Sequence, residues 1–133
     1  KCSAKKLPGG MTGWATHGEA ELRKAFDGDI KTRWATGCSR IPGMGLMFEF
    51  PNAETISGFE FELANSRNDR VLGPVVFVGD SLDNMKKVEF EHIKAEHSDI
   101  IKFKKPQNIK VFCIESTKEQ GGNWCAYEIK VIK

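Results

Sequence analysis

The chain has one tyrosine, almost no net charge and no long apolar run. Its 133 residues hold 20 Lys and Arg against 18 Asp and Glu, which gives a net charge of +2. This near balance argues against a basic arm for nucleic acid and against a polybasic membrane anchor. No apolar run approaches the roughly 18 residues that cross a bilayer, so the sequence predicts no membrane-spanning helix.

The common signatures of a catalytic or zinc site are also missing. The four cysteines, at positions 2, 38, 113 and 125, form no C-x-x-C pair, which argues against a zinc site. Their even number permits one or two disulfides, and it permits four free thiols equally well. The sequence has no G-x-S-x-G motif and no glycine-rich phosphate loop before a helix. We therefore expect no catalytic site, and we expect His92 and His97 to be surface residues.

Alternating apolar and polar residues dominate the middle and the end of the chain. The alternation, separated by Pro, Gly, Asn and Asp turn signals at 51–52, 80–84, 106–108 and 121–123, predicts an all-β sandwich. One short N-terminal helix is expected over 18–26, where Asp27-Gly28 would end it. The predicted strands are 46–50, 59–63, 74–78, 88–91, 101–104, 111–115 and 127–131.

The segment 27–34 (DGDIKTRW) has the densest set of oxygen ligands in the chain. Two carboxylates one residue apart, a glycine and a threonine hydroxyl suit a hard cation such as Ca²⁺. An EF-hand is excluded, because Lys31, Thr32 and Cys38 stand where that loop needs Asp or Asn, Gly and Glu. Taken alone, however, the segment favours an ordinary surface turn that ends a helix, so a metal site needs support from elsewhere in the chain.

A family resemblance starts from this same segment. Residues 25–34 (AFDGDIKTRW) resemble the A-x-D-G-D-x-x-T-R-W segment of the coagulation factor V/VIII type C, or discoidin, family, whose bacterial members include the family 32 carbohydrate-binding modules. The segments 54–59, 64–81, 109–114 and 121–131 resemble further family segments in the same order. The resemblance implies a jelly-roll β-sandwich of the galactose-binding-domain type. Because the chain begins with Lys1, we expect residues 1–133 to be a single module from a larger protein.

The resemblance implies one structural calcium ion at the Asp-Gly-Asp loop. Such an ion would tie the end of the helix to the last strand, so its role would be stability and not chemistry. Six residues would supply its oxygen ligands: the side chains of Asp27, Thr32 and Glu128, and the backbone carbonyls of Lys24, Asp29 and Tyr127.

The resemblance also implies a ligand site on loops at one end of the sandwich, here residues 11–18, 35–43, 65–70 and 120–125. A sugar site needs an aromatic ring that stacks on the pyranose and planar polar groups for the hydroxyls. The loops supply such residues: Trp14, His17, Arg40, Asn65, Arg67, Asn68, Arg70, Asn123 and Trp124. The alternative is that Trp14 and Trp124 pack beneath the loops. No His follows soon after the T-R-W segment, which leaves the type of sugar open.

Since the resemblance makes two of these loops neighbours, a disulfide between Cys38 and Cys125 is the favoured pairing. Cys2 and Cys113 would be a second pair.

These features predict a non-catalytic carbohydrate-binding module, outside the cell or on its surface. We expect a monomer, tethered to a catalytic or anchoring domain that it holds on a glycan, with no nucleic-acid partner. The alternative is an adhesion module that binds a protein partner or an anionic phospholipid surface through the apolar segments 41–44 and 71–72. The small net charge favours a neutral sugar over an anionic membrane.

Overall fold

A computed structural model of the chain describes residues 4–133, and most of this part is antiparallel β-strand. Two 3-10 helices, Pro8–Gly10 and Glu19–Ala25, are its helical segments. No helix in residues 4–133 is long and apolar enough to cross a membrane. The strands are β1 (Lys5–Lys6), β2 (Thr12–Ala15), β3 (Trp34–Ala35), β4 (Gly45–Glu62), β5 (Val75–Ser81), β6 (Asn84–Lys87), β7 (Phe90–Lys94), β8 (Ser98–Glu115), β9 (Cys125–Ala126) and β10 (Glu128–Ile132).

Strands β4 and β8 are 18 residues long and pair with each other through both layers of the molecule. One layer contains β1, β2, the first part of β4, the last part of β8, β5 and β6. The other contains β10, the second part of β4, the first part of β8 and β7. Strands β3 and β9 form a small separate sheet. The result is the all-β jelly-roll sandwich that the sequence predicted.

The two long strands bend where their register shifts, between Glu49 and Glu54 and between Ile56 and Gly58. A bulge of this kind bends a strand and increases its twist. Gly58 is required there, since a Cβ atom at this position would lie 2.0 Å from the carbonyl oxygen of Ile101. The bends fold one continuous sheet over on itself.

The core between the layers is built largely from phenylalanine. The rings of Phe59 and Phe112 stack with centroids 3.8 Å apart, and Phe48 lies 6.3 Å from Phe112. These three side chains are almost completely buried. Because Phe48 and Phe59 belong to different parts of β4, their contacts with Phe112 join the two layers.

The sequence predicted two chain breaks that the structure does not have. Pro51-Asn52 and 106–108 were expected to be turns, yet β4 and β8 continue through them. The two prolines are exposed, and the β4–β8 ladder is interrupted at the bend, so their missing N–H groups cost no pairing there. The short helix lies where it was predicted, as a 3-10 helix that buries Leu22 and Ala25.

Arg40 holds three loops together at one end of the sandwich. Its side chain is 2% exposed. Nη1 donates to the carbonyl oxygens of Asn68 (2.8 Å) and Arg70 (2.7 Å), and Nη2 donates to that of Gly121 (2.7 Å). Its backbone also pairs with Gln120. A charged donor strengthens these bonds, and burial makes each carbonyl costly to leave unpaired.

Replacing Arg40 with methionine should therefore destabilise the fold by about 3 kcal/mol or more, because three part-buried carbonyl groups lose their charged donor. Guanidinium-induced unfolding followed by circular dichroism measures this change. The matched control is R67M, since Arg67 lies in the same loop region but is exposed and pairs only with Glu96 at the surface. Its free energy of unfolding should stay within about 0.5 kcal/mol of the parent value. Equal effects of the two substitutions would contradict the role given to Arg40.

Candidate functional site

The loops that the resemblance grouped together do meet at one end of the sandwich. Trp34 Nε1 donates to the carbonyl oxygen of His17 (3.0 Å), and Thr36 N donates to that of Trp124 (2.9 Å). Cys125 N donates to the carbonyl oxygen of Asp69 (3.0 Å). With the bonds of Arg40, these contacts bring together segments 16–18, 36–43, 64–70 and 117–125, which we call the loop end.

Trp124 was expected to touch a ligand, and the structure corrects this. Its side chain is completely buried, and its ring meets that of Trp34 edge to face, with centroids 5.2 Å apart. The two indoles pack against each other in the core, and both residues are hydrogen-bonded to the loops. A ring with no exposed surface offers no face to a sugar.

Two of the predicted arginines are also structural. Arg40 is buried in the manner described above, and Arg70 donates from Nη1 to Ser98 O (2.9 Å) and to Asp99 Oδ1 (3.0 Å), and from Nη2 to Ala95 O. The fully buried Asp99 also bonds to His92 Nε2 (2.8 Å), so His92 is not the surface residue that was expected. The Nη atoms of both guanidinium groups donate to protein acceptors, and Arg40 Nε is buried without a partner among the described residues, so neither group is available to a ligand.

The other five loop residues predicted for the ligand site reach the surface. Arg67 and the carboxamides of Asn65 and Asn68 are exposed, and His17 and Asn123 are half-buried. His17 Nδ1 bonds to Thr16 Oγ1 (2.9 Å). The loop end therefore presents an imidazole, three carboxamides and a guanidinium, all of them planar hydrogen-bonding groups.

Trp14 lies outside this group. It is on β2, whose Gly13 faces the core: a Cβ atom at Gly13 would lie 2.7 Å from Leu7 Cδ1 and 3.0 Å from Leu22 Cδ2. Side chains alternate along a strand, so Trp14 points to the outer face of the sheet. It is half-buried there, next to Met47 of β4 in the strand register.

The predicted Cys38–Cys125 disulfide is not formed, since both residues are free thiols. Cys38 is exposed on a turn, whereas Cys125 is buried in strand β9. Burial raises the pKa of the Cys125 thiol to about 11, so it is protonated at neutral pH. Cys113 is also a free thiol; Cys2 lies outside the described residues, and a Cys2–Cys113 pair stays a prediction.

The Asp-Gly-Asp loop is ordered by its own side chains. Thr32 Oγ1 donates to Asp27 Oδ2 (2.5 Å), and the backbone N–H of Asp29 donates to Asp27 Oδ1 (2.9 Å). The N–H of Gly28 donates to Glu128 Oε2 (3.1 Å), which joins residues that are 100 positions apart. The loop and the last strand therefore meet where the resemblance places the ion.

Two carboxyl groups face each other at this junction. The hydrogen bond from Thr32 lowers the pKa of Asp27 below its usual value. Partial burial raises the pKa of Glu128, and the neighbouring Asp27 carboxyl raises it further, although the Gly28 N–H opposes this. Like charges held this close favour a cation between them or a proton on one of them.

The donor set fits a calcium ion. It offers the carboxylates of Asp27 and Glu128, the hydroxyl of Thr32 and the carbonyl of Asp29, all of them hard oxygen ligands. Residues 4–133 contain no group of three or more His, Cys, Asp or Glu side chains arranged to hold a metal. The predicted set uses two acidic side chains, and hydroxyl and carbonyl oxygens would complete it. The carbonyls of Lys24 and Tyr127 belong to the segments that precede Asp27 and Glu128.

Sequence reasoning missed Asp69, which links the loop end to the segment that contains the Asp-Gly-Asp loop. Its Oδ2 accepts from Arg33 Nη1 (3.0 Å), and the Arg33 guanidinium lies 5.8 Å from the centre of the Tyr127 ring. Ser66 Oγ bonds to the hydroxyl of Tyr127 (3.0 Å). Asp69 is 36 positions from Arg33 in the chain, so local spacing gave no signal for this pair.

Comparison with known proteins gives matches among solved structures alone. No protein-family model and no curated protein matches the chain. CpGH89CBM32-5 from Clostridium perfringens, solved with GalNAc-β-1,3-galactose, has a TM-score of 0.74 at 22% identity, covering 98% of this chain and 100% of that one. The family 32 module of C. perfringens NanJ, solved with galactose, has a TM-score of 0.70 at 18% identity, covering 91% and 92%.

A chitosan-binding module from a Paenibacillus sp. IK-5 chitosanase/glucanase, solved with chitotriose, has a TM-score of 0.71 at 19% identity and covers 96% of this chain and 98% of that one. These matches extend over nearly the whole of each chain. The chain therefore has the discoidin-like jelly-roll fold of the family 32 carbohydrate-binding modules.

Proposed function

We propose that the chain is a non-catalytic carbohydrate-binding module that holds a larger secreted or cell-surface protein on its glycan. The observation that carries this proposal is the loop end, where five planar polar side chains stand on loops fixed by the buried Arg40. Similarity to modules solved with galactose, GalNAc-β-1,3-galactose and chitotriose supports it. The bound group would be one or a few sugar units of a glycan.

The chemistry of the loop end suits sugar hydroxyls. Each carboxamide of Asn68 and Asn123 has both donors and an acceptor, and so can pair with a hydroxyl in either direction. Loops that are already fixed lose little conformational freedom on binding. A single shallow site of this kind binds weakly, and the benefit to the parent protein would come from the raised local concentration of its glycan.

We propose a structural calcium ion at the junction of the Asp-Gly-Asp loop and β10. Asp27, Thr32 and Glu128 would supply side-chain oxygens, and Lys24, Asp29 and Tyr127 would supply backbone carbonyls. When bound, the ion would compensate the two facing carboxylates. It would fix the end of the 3-10 helix Glu19–Ala25 to the last strand, and it would take no part in ligand chemistry.

Adhesion to a lipid surface is supported less well. Of the two apolar segments considered for it, only Ile41 is an exposed large hydrophobic residue, at 41%. Met44 and Val71 are buried in the core. One exposed isoleucine offers little apolar area for insertion into a membrane, so we place this function second.

The sugar proposal predicts binding on a glycan array that includes galactose, GalNAc-β-1,3-galactose and chitotriose. Titration calorimetry with the sugars that bind should show at least about a tenfold loss of affinity in an N68A/N123A variant, since several hydroxyl contacts would be removed. N84A is the matched control, because Asn84 is an exposed asparagine on β6, outside the loop end.

No sugar binding at millimolar concentration would contradict the proposal. Co-sedimentation with anionic liposomes, but not with neutral ones, would instead favour the second function.

The calcium proposal predicts a melting temperature that rises with added Ca²⁺ and falls with chelator. At 100 times the dissociation constant the ion would add about 2.7 kcal/mol of stability. In E128Q the amide oxygen can still accept from Gly28 N–H, so the calcium-free melting temperature should not fall, because the repulsion from Asp27 is gone. The response to calcium should shrink strongly.

D80N is the control, since Asp80 is an exposed carboxylate on β5, away from this loop. Its melting temperature should respond to calcium as the parent does. A parent protein whose melting temperature ignores both calcium and chelator would rule the ion out.

A further inference from the structure

A cleft of about 330 Å³ lies on the outer face of the first layer, beside the loop end. Its walls come from β2, β4, β6 and β8, and its largest side chain is Trp14. The residues that line it include Trp14, Thr16, Met47, Met85, Cys113 and Glu115. None of them belongs to the loop-end group of polar side chains described above.

The apolar part of the cleft is a row of side chains across neighbouring strands. Trp14 of β2 pairs with Met47 of β4, and Met47 pairs with Cys113 of β8. All three are half-buried on the outer face. Two residues further along β4 the same face carries Glu49, so the apolar character is local to this row. Trp14, which is part of this row, is the one tryptophan of the chain that is not fully buried.

One carboxyl side chain, that of Glu115, lies at the edge of this apolar row. Glu115 follows Cys113 by two positions on β8, and its side chain makes no hydrogen bond or ion pair with any residue in 4–133. It lies over Gly45, where an added Cβ atom would be 3.2 Å from Glu115 Cγ. Burial and the nearby Glu115 raise the pKa of Cys113 to about 11, so this thiol is protonated at neutral pH.

An aromatic ring and an unpaired carboxylate that line the same cleft are groups that suit a pyranose ring. The apolar face of the sugar stacks on the indole, and its hydroxyls donate to the carboxylate. A volume of about 330 Å³ is at the small end of ligand sites, enough for one hexose and too small for a folded partner. A purely apolar ligand would leave the Glu115 carboxylate desolvated without a partner, which is costly.

The cleft is continuous with the loop end. Thr16 lines it, and Thr16 Oγ1 bonds to His17 Nδ1 (2.9 Å) of the loop end. Gly43, the last residue of the segment 36–43, lines it as well. A sugar chain bound at the loop end beside His17 would therefore lie next to the cleft.

We propose that this cleft is a second sugar subsite, in which a hexose unit stacks on Trp14 and hydrogen-bonds to Glu115 while the neighbouring unit of the same chain lies on the loop end. The inference rests on the proposed carbohydrate function. It adds a preference for oligosaccharides over single sugars, because only a chain of two or more units reaches both places.

Tryptophan fluorescence gives a direct test. Trp34 and Trp124 are 1% and 0% exposed, so a change in emission or in acrylamide quenching on adding sugar reports chiefly on Trp14. Chitotriose, GalNAc-β-1,3-galactose and the oligosaccharides that bind on the array are titrated, each beside its single sugar units. We expect oligosaccharides to change the emission and to bind more tightly than the single sugars.

W14A should reduce oligosaccharide affinity by about 3- to 10-fold, which is the usual size of an aromatic contact, and should leave single-sugar affinity unchanged. E115Q serves as a second variant that keeps the shape of the cleft, and should reduce the oligosaccharide preference in part. E60Q is its control, since Glu60 is a half-buried glutamate in the part of β4 that belongs to the other layer.

The outcomes separate the two proposals. Oligosaccharide binding that is lost in N68A/N123A but unchanged in W14A and E115Q would overturn the second subsite and leave the carbohydrate function intact. Binding by no sugar on the array would overturn both. Two chains joined through the apolar row would appear as a dimer in ultracentrifugation that W14A abolishes, and this too would overturn the subsite.

Discussion

Pairing between β4 and β8 connects every major part of this molecule. Each strand contributes one part to the first layer and another to the second, so a single ladder sets both the spacing and the angle of the layers. The bends that make this possible need a bulge and a glycine at position 58, where the backbone of Ile101 leaves no room for a side chain. The Phe48, Phe59 and Phe112 rings then fill the space that the bends enclose. Backbone hydrogen bonding between β4 and β8 thus sets the arrangement of the two layers, and burial of the aromatic rings stabilises that arrangement.

At the loop end, polar side chains hold the separate segments together. Loops carry backbone groups that a sheet does not satisfy, and burying them requires partners. Arg40 serves the carbonyls of three residues at once, while Arg70 and His92 share the buried Asp99 carboxylate. Trp34 and Trp124 pack edge to face and are hydrogen-bonded to the loop segments at His17 and Thr36. The residues that reach the surface from these loops are therefore supported from below, which is what a recognition surface built on loops requires.

The Asp27–Glu128 junction differs from these networks, because it brings two carboxyl groups together. Asp27 has hydrogen-bond donors of its own, but Glu128 has one backbone donor and a carboxylate neighbour, so its pKa is raised. A structure that holds two acidic groups together without a basic partner loses electrostatic free energy unless a cation is present. The proposed sugar sites and the proposed ion site therefore have different roles: the loop end offers planar hydrogen-bonding groups, and this junction offers two carboxyl groups that face each other.

Local sequence pattern determined the strands, the short helix and the sandwich class, because period-two burial follows directly from strand geometry. The match to family segments predicted that the Asp-Gly-Asp loop lies next to Glu128. What sequence could not decide was the direction and depth of individual side chains. Arg40 and Trp124 have the residue types of a binding site, yet tertiary packing uses them as buried supports, since each satisfies or covers segments distant in the chain.

Cys38 and Cys125 likewise lie on segments that meet, but one is exposed and the other buried. Trp14 faces outward only because Gly13 must face Leu7 and Leu22. The amino-acid sequence by itself thus determined the sandwich class, most of its long strands and which chemical groups the loops carry. Tertiary structure alone decided which of those groups reach solvent, because burial depends on contacts between residues that are far apart in the sequence.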